Sequence, residues 1–161
     1  MTAPLSGARV LDLGQIYQGG YCGLLLSYLG ADVVKVEPPW GENVRTRSED
    51  GYPPQFQYLN ANKRGITLDL KSEDGREALE RLVEKADVLL ENFATGKMAE
   101  LGVGYERLRE VNPGLVYAHG SGYGDSGPYA EYPAMDLTVQ AMSGVMETTG
   151  FPDGPPVKAG P

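Results

Sequence analysis

The sequence predicts an α/β fold, a Rossmann-like, mostly parallel sheet with helices on both faces, in one domain over residues 1–161. Three observations carry that expectation. Short β-branched runs alternate with segments of helical apolar spacing. The runs end in glycine, proline or asparagine, and 22 Gly and 12 Pro supply many tight connections. Hydrophobic residues make up 41% of the chain and charged residues 22%, which excludes collagen-like, disordered and coiled-coil architectures.

The elements follow in order. Residues 9–13 (RVLDL) form a strand closed by Gly14, and a helix over 20–29 follows with Cys22, Leu25, Leu26 and Leu29 as its apolar face. Gly30 ends that helix. Residues 32–37 (DVVKVE) are β-branched and run into Pro38-Pro39, which cannot continue a central strand. The first 37 residues therefore read as a βαβ unit, whose right-handed crossover makes its strands parallel neighbours. Residues 40–65 are a long polar connection that ends in the basic turn Asn62-Lys63-Arg64-Gly65, ahead of a strand over 66–70 (ITLDL).

Ser72 is the expected N-cap of the next helix, with Glu73 and Asp74 in its first turn and Ala78, Leu79, Leu82, Val83 and Ala86 on its apolar face. A strand over 87–91 (DVLLE) ends at Asn92-Phe93. A short helix to Leu101 and another over 105–111 come next, then the stop Asn112-Pro113-Gly114. Residues 115–118 (LVYA) are the last clear strand. A glycine run over 119–127 leads to a helix over 136–146 with Asp136 as N-cap, and Pro/Gly-rich sequence completes the chain.

Fourteen Lys+Arg against 22 Asp+Glu give a net charge of −8, which argues against a nucleic-acid partner, because displacing phosphate counterions needs a positive surface. An anionic ligand must be met locally, and Lys63, Arg64 and Lys71, flanking one strand, are the candidate cluster. No membrane partner is expected, since the most apolar stretch, 24–29, is far shorter than the ~20 residues of a span. Met1 to Val10 does not resemble a signal peptide, and the single Cys22 makes no internal disulfide, so the expected location is cytoplasmic. Cys22 itself is expected as an inert buried thiol.

Ligands of parallel sheets bind at strand carboxyl ends, here 14–20, 37–41, 92–96 and 119–124. The first of these delivers glycines to a helix N-terminus, which suits phosphate or carboxylate, although packing alone would also call for them. It lacks the G-x-G-x-x-G spacing, and Gly20-Tyr21 stands where a P-loop needs Lys-Ser/Thr, so neither NAD nor ATP binding is supported. The only histidine, His119, lies beside Gly120-Ser121-Gly122, which is not a nucleophile elbow; a hydrogen-bonded structural or ligand-lining role is expected. No grouping has metal-ligand spacing.

Several segments together resemble the class III CoA-transferase family, the group of formyl-CoA transferase, carnitine-CoA transferases and α-methylacyl-CoA racemase. They are LSGARVLDLG (5–14), LGADVVKVEPP (29–39), NKRGITLDLKSEDG (62–75), ADVLLENF (86–93), LGVGYERLREVNPGLVYAHGSGYGDSGP (101–128) and DLTVQAMSG (136–144), in family order. The resemblance implies the N-terminal portion of an acyl-CoA:carboxylate CoA-transferase. Its partners would be an acyl-CoA and a carboxylic acid acceptor, with the coenzyme A thioester as substrate and no permanently bound cofactor. It also implies a homodimer of interlocked chains.

By position, Gln15, Ile16, Tyr17 and Gln18 resemble the loop along pantetheine and thioester, and Leu68 and Lys71 match residues near the adenosine end. Asn92 and Phe93 match a pair lining the CoA channel, and Tyr123 an aromatic near the active site. The basic cluster would offset CoA phosphate charge. Tyr17-Gln18, Pro38 and Ser121 depart from formyl-CoA transferase, which has Gln-Ala, an adenine-stacking Arg and a Lys there. Met135 stands where the racemase branch has its catalytic His, and methionine cannot act as a base, so transferase is favoured over racemase.

The resemblance places the nucleophilic Asp shortly after a segment like Gly154-Pro155-Pro156, beyond Pro161, so no catalytic residue is expected within the chain and it should not turn over alone. In the implied chemistry that carboxylate attacks the thioester to give an anhydride, CoA converts this to an enzyme thioester, and CoA then passes to the acceptor acid. Backbone N–H groups of a glycine loop would stabilise the oxyanion. The alternatives are a non-catalytic CoA-binding module, a racemase-like enzyme, or, against the missing fingerprint, a nucleotide-dependent oxidoreductase.

Overall fold

The computed structural model describes residues 2–160. They fall into two compact units, Met1–Gly120 and Ser121–Pro161. In the first, strands β1 (Arg9–Asp12), β2 (Asp32–Glu37), β3 (Arg64–Thr67), β4 (Val88–Glu91) and β5 (Val116–His119) form one sheet in the order β3-β2-β1-β4-β5. Every strand pair is parallel, so the expected Rossmann-like sheet is present and wholly parallel among the described residues.

Alternation along the strands sorts the two faces. Leu11, Val36 and Leu89 point to one face, where they pack with Leu79 and Val83 of α3 (Glu73–Val83), Met98 of α4 (Lys97–Glu100) and Leu108 of α5 (Tyr105–Val111). Val10, Val33 and Leu90 point to the other, against Leu26 of α1 (Gln18–Tyr28). Ser72 caps α3 as expected, its Oγ accepting from the Gly75 N–H at 3.1 Å.

Several expectations are corrected. The third strand spans 64–67 rather than 66–70. Thr67 is the last residue in register with β2, opposite Glu37, and Pro38-Pro39 then offers no N–H to extend the ladder. Residues 68–70 are thereby released to line the cleft described below. The connection over 40–65 is not structureless: it holds a 3-10 turn at Asn43–Arg47 and helix α2 (Pro54–Leu59), which begins on its proline and buries Phe56 and Leu59.

The third correction concerns α1, whose buried face is Gly19, Gly20, Gly23, Leu24 and Ser27, while Cys22, Leu25 and Leu29 are exposed. The reason lies beneath the helix. Asp12 and Lys35 point up from β1 and β2, and only residues without bulk allow a helix to pass over them. A Cβ on Gly23 would collide with the Asp12 carboxylate. Cys22 is therefore an exposed thiol, not a buried one.

The second unit carries α6 (Asp136–Met142) and a 3-10 turn at Val145–Thr148. The helix expected over 136–146 stops early because Gly144 adopts φ +79°. Its cap is Met135, whose N–H donates to Thr138 Oγ1 at 2.9 Å; Asp136, expected as the cap, is the first helical residue and accepts from Gln140 Nε2 at 2.9 Å. Tyr123, Tyr129 and Tyr132 form a ring cluster with centroids 6.0 and 5.2 Å apart. No described residue of this unit is buried.

Candidate functional site

A cleft of about 280 Å3 opens at the carboxyl ends of β1, β2 and β3. Leu13, Val36, Leu68, Leu70, Phe93 and Leu101 give it apolar walls, and Gln15, Trp40, Asn43, Lys71 and Lys97 its polar and aromatic edge. Of the residues singled out from the sequence, Gln15, Leu68, Lys71 and Phe93 line it. Ile16, Tyr17, Gln18 and Asn92 do not line it, and Tyr123 belongs to the second unit.

Asn92 acts on the loop instead. Its Oδ1 accepts from the Gln15 N–H at 2.6 Å and its Nδ2 donates to the Gln15 carbonyl at 3.0 Å, so the two ends of the amide grip the peptide groups on both sides of one residue. On either side, the Gly14 N–H donates to Asp12 Oδ1 at 2.8 Å and the Ile16 N–H to Glu42 Oε2 at 3.2 Å. The Gly14 carbonyl accepts from Lys35 Nζ. These bonds hold Ile16 at φ +57°, a left-handed conformation that costs a β-branched residue about 1–3 kcal/mol. Tyr17 is exposed, with Arg47 Nη1 donating to its hydroxyl at 3.0 Å, and Gln18 opens α1 with its side chain against Gly120.

Under the loop lies a network of buried charges that the sequence reading missed. Asp12 is fully buried and accepts from Lys63 Nζ at 2.6 Å; Lys35 stands 3.9 Å from Asp12 and 3.6 Å from Glu42. Lys63 also donates to the Gly20 carbonyl at 2.8 Å. Burial pushes the Lys63 ammonium below its ordinary value, against the pull of Asp12. Lys63 is thus a core ion-pair partner, and Arg64 is bound to Asp32 at 2.5 Å on the sheet edge. The expected cluster of three cations dissolves, leaving Lys71 at the cleft.

Glu37 is held by Arg45 through Nε at 2.6 Å and Nη2 at 2.8 Å, and by the Glu42 N–H at 3.1 Å. Burial alone would raise its carboxyl, but the Arg45 and Glu42 hydrogen bonds outweigh that and hold it below the usual range. A lowered folded-state value stabilises the fold at pH above the unfolded value of 4.5 and loses that contribution as pH falls through the folded value. Thermal unfolding between pH 7 and 3 is expected to show a stability loss below about 4.5 that Glu37→Gln makes shallower. An unchanged acid limb in the variant would contradict this.

The remaining strand-end carboxylate, Glu91, accepts from the Phe93 N–H at 2.8 Å, from the Tyr117 hydroxyl at 3.0 Å and pairs with His119 Nδ1 at 2.6 Å. His119 is hydrogen-bonded, as expected. Among the described residues no three His, Cys, Asp or Glu side chains group as a metal site, and no helix is long and apolar enough to cross a membrane. Trp40 and Lys97 are lining residues the sequence reading missed. A lone tryptophan directly after the Pro-Pro at a strand end was the available signal for the first, whereas Lys97 had none.

A parallel sheet with an apolar cleft across its strand carboxyl ends, lysines at the rim and a clamped loop beside it is an arrangement that suits an anionic, partly apolar ligand. The chain belongs to CoA-transferase family III, whose description matches residues 5–161. It is 46% identical over 168 residues to the succinyl-CoA:mesaconate CoA-transferase of Haloarcula hispanica, covering 98% of this chain and 42% of that protein. With the formyl-CoA:oxalate CoA-transferase of Streptomyces avermitilis it shares 45% identity over 164 residues, 99% of this chain and 40% of that protein. Among solved structures, a CAIB/BAIF family protein from Brucella suis superposes with a TM-score of 0.94 at 42% identity, covering 99% of this chain and 44% of that one. The chain therefore spans about two fifths of the length of the curated relatives it matches.

Proposed function

We propose that this chain is the coenzyme-binding portion of an acyl-CoA:carboxylate CoA-transferase. The carrying observation is the cleft at the carboxyl ends of β1–β3, present in a chain whose relatives are named for CoA transfer between carboxylic acids. The cleft would take the adenosine end of the CoA thioester, with Leu68 and Phe93 as walls and Lys71 at its phosphates. The clamped peptides of Gln15 and Ile16 would run along the pantetheine arm. Asn92 serves by positioning: it fixes the loop rather than touching the ligand.

The nucleophile, in this proposal an aspartate, lies outside residues 1–161. Asp12, Glu37, Glu42 and Glu91 support that reading, because each is buried and held by a cation or backbone N–H groups, which lowers its nucleophilicity and its access to a thioester. Met135 at the cap of α6 supports transferase over racemase, since a thioether cannot take a proton from the carbon next to a thioester. The relatives at 45–46% identity are named for different acyl groups, so the acceptor is proposed only as a carboxylic acid. A homodimer and a cytoplasmic location belong to the same proposal.

Calorimetry tests the binding. Saturable heat with CoA and none with NADH is expected, and turnover is expected only when the rest of a family enzyme is supplied. Absent CoA binding, or hydroxylamine trapping of an acyl group on an aspartate within 1–161, would overturn the reading. Binding without any recovery of turnover would favour a non-catalytic module.

A further inference from the structure

We infer that Glu42 is the positioning residue through which the cleft sets the shape of the loop at Gln15 and Ile16; this rests on the CoA reading above. Gly41, Glu42 and Asn43 line the cleft. The same short segment reaches the loop: Glu42 Oε2 accepts from the Ile16 N–H at 3.2 Å, and Asn43 Nδ2 donates to Gln15 Oε1 at 3.3 Å. Its own footing is firm. The Glu42 N–H donates to Glu37 Oε2 at 3.1 Å, and Glu42 Oε1 accepts from the Val44 N–H at 3.1 Å. Arg45, which binds Glu37, has its guanidinium carbon 3.7 Å from the Phe56 ring centroid. A ligand in the cleft therefore touches the segment that holds the loop.

Two features make this hold more than packing. The first is Ile16, whose φ of +57° is a conformation that β-branched residues avoid. Among the described residues, glycine takes every other left-handed position except Asn62. A glycine at 16 would accept the angle without strain, but it would accept many others as well. Isoleucine stays left-handed while its N–H is held and relaxes when released, so the loop has a defined shape only with its holder in place. The second feature is that holder. Glu42 is 3% exposed, and a buried carboxylate is costly unless it is paired and hydrogen-bonded. Its oxygens take N–H groups from two different segments, at Ile16 and Val44, with Lys35 Nζ 3.6 Å away. An apolar side chain of similar volume would fill the space and accept neither. Fixing Ile16 before the coenzyme arrives lowers the ordering cost of binding the pantetheine arm, which passes this loop in the CoA reading.

Calorimetry with CoA and with adenosine 3′,5′-bisphosphate, which lacks the arm, separates loop from cleft. The parent should bind CoA more tightly than the bisphosphate. Glu42→Ala should shrink that ratio by about tenfold, the size of one lost hydrogen bond to a charged group. Glu42→Gln keeps the volume and one acceptor oxygen, so it should shrink the ratio less, and it carries the test if Glu42→Ala does not fold. Asparagine tolerates the left-handed angle, so in an Ile16→Asn background the same Glu42→Ala change should cost less. Amide exchange read by NMR tests the link itself: the bisphosphate alone should slow exchange at Ile16 in the parent and not in Glu42→Ala. Several results would overturn the inference and leave the CoA reading standing. They are a parent-like ratio in the folded Glu42 variant, additive effects of Ile16→Asn and Glu42→Ala, no protection of Ile16 by the bisphosphate in the parent, and protection that survives Glu42→Ala. A parent that binds CoA no more tightly than the bisphosphate would do the same. No CoA binding by the parent would overturn both readings.

Discussion

Lys63→Ala is expected to destabilise the first unit by about 3–5 kcal/mol, the cost of removing one partner from a buried ion pair. Asp12 is fully buried, and its nearest cation, Lys63, lies at 2.6 Å; the next, Lys35, is 3.9 Å away. The variant leaves a carboxylate without water and without its main counter-charge. It also strips the Gly20 carbonyl of a donor at 2.8 Å, which loosens the first turn of α1. Urea unfolding monitored by circular dichroism measures the loss. The double variant Asp12→Asn, Lys63→Met should recover a large part of it, because the unpaired charge is then gone. A loss below about 1 kcal/mol in Lys63→Ala would mean the pair behaves as a solvated one, and the account of α1's glycine face would fail with it.

Gly14→Ala is expected to be the most damaging single change in the loop. Its Cβ would lie 2.5 Å from Gly19 Cα, 2.6 Å from the Gly19 carbonyl carbon and 2.9 Å from Asp12 Oδ1. Two of those atoms are backbone, so no rotamer relieves the overlap and the loop must move off the helix. A cost of about 1–3 kcal/mol follows, together with at least a tenfold loss of CoA affinity, about 1.4 kcal/mol, as the Gln15 and Ile16 peptides leave their clamps. Gly20→Ala is the control. A Cβ there meets only Leu59, at 3.5 Å, an ordinary contact, and alanine is the better helix former, so the change is expected to be neutral or stabilising. Equal behaviour of the two variants would refute the close approach of loop and helix.

The order of elements was legible in the sequence because strand ends and caps are local events. Ser72 ahead of Glu73 and Asp74, the Pro38-Pro39 stop and the Asn112-Pro113-Gly114 stop each announce themselves within a few residues. The side on which α1 is buried was not legible, since both of its sides are uncharged and the deciding groups, Asp12 and Lys35, come from other elements. Lys63 shows the same limit. Its charge suggested a ligand contact, yet its partner lies 51 residues earlier and only the folded sheet brings them together. Gln15, Leu68, Lys71 and Phe93 were found through the resemblance of their segments to the family, and Gln15 and Phe93 also stand at strand carboxyl ends, where the topology of a parallel sheet puts ligands. Trp40 was not singled out although it lies in the strand end 37–41, because it begins the polar, turn-rich connection and nothing in its neighbours marked it as lining a cleft.

Amide hydrogen exchange with and without CoA tests the central claim most directly, because it locates the ligand instead of only detecting it. Added protection is expected over residues 15–18, 40–43 and 68–71, with Phe93 included, and little change over β5 or α5. Protection confined to other segments, or none at saturating CoA, would contradict the assignment of the cleft.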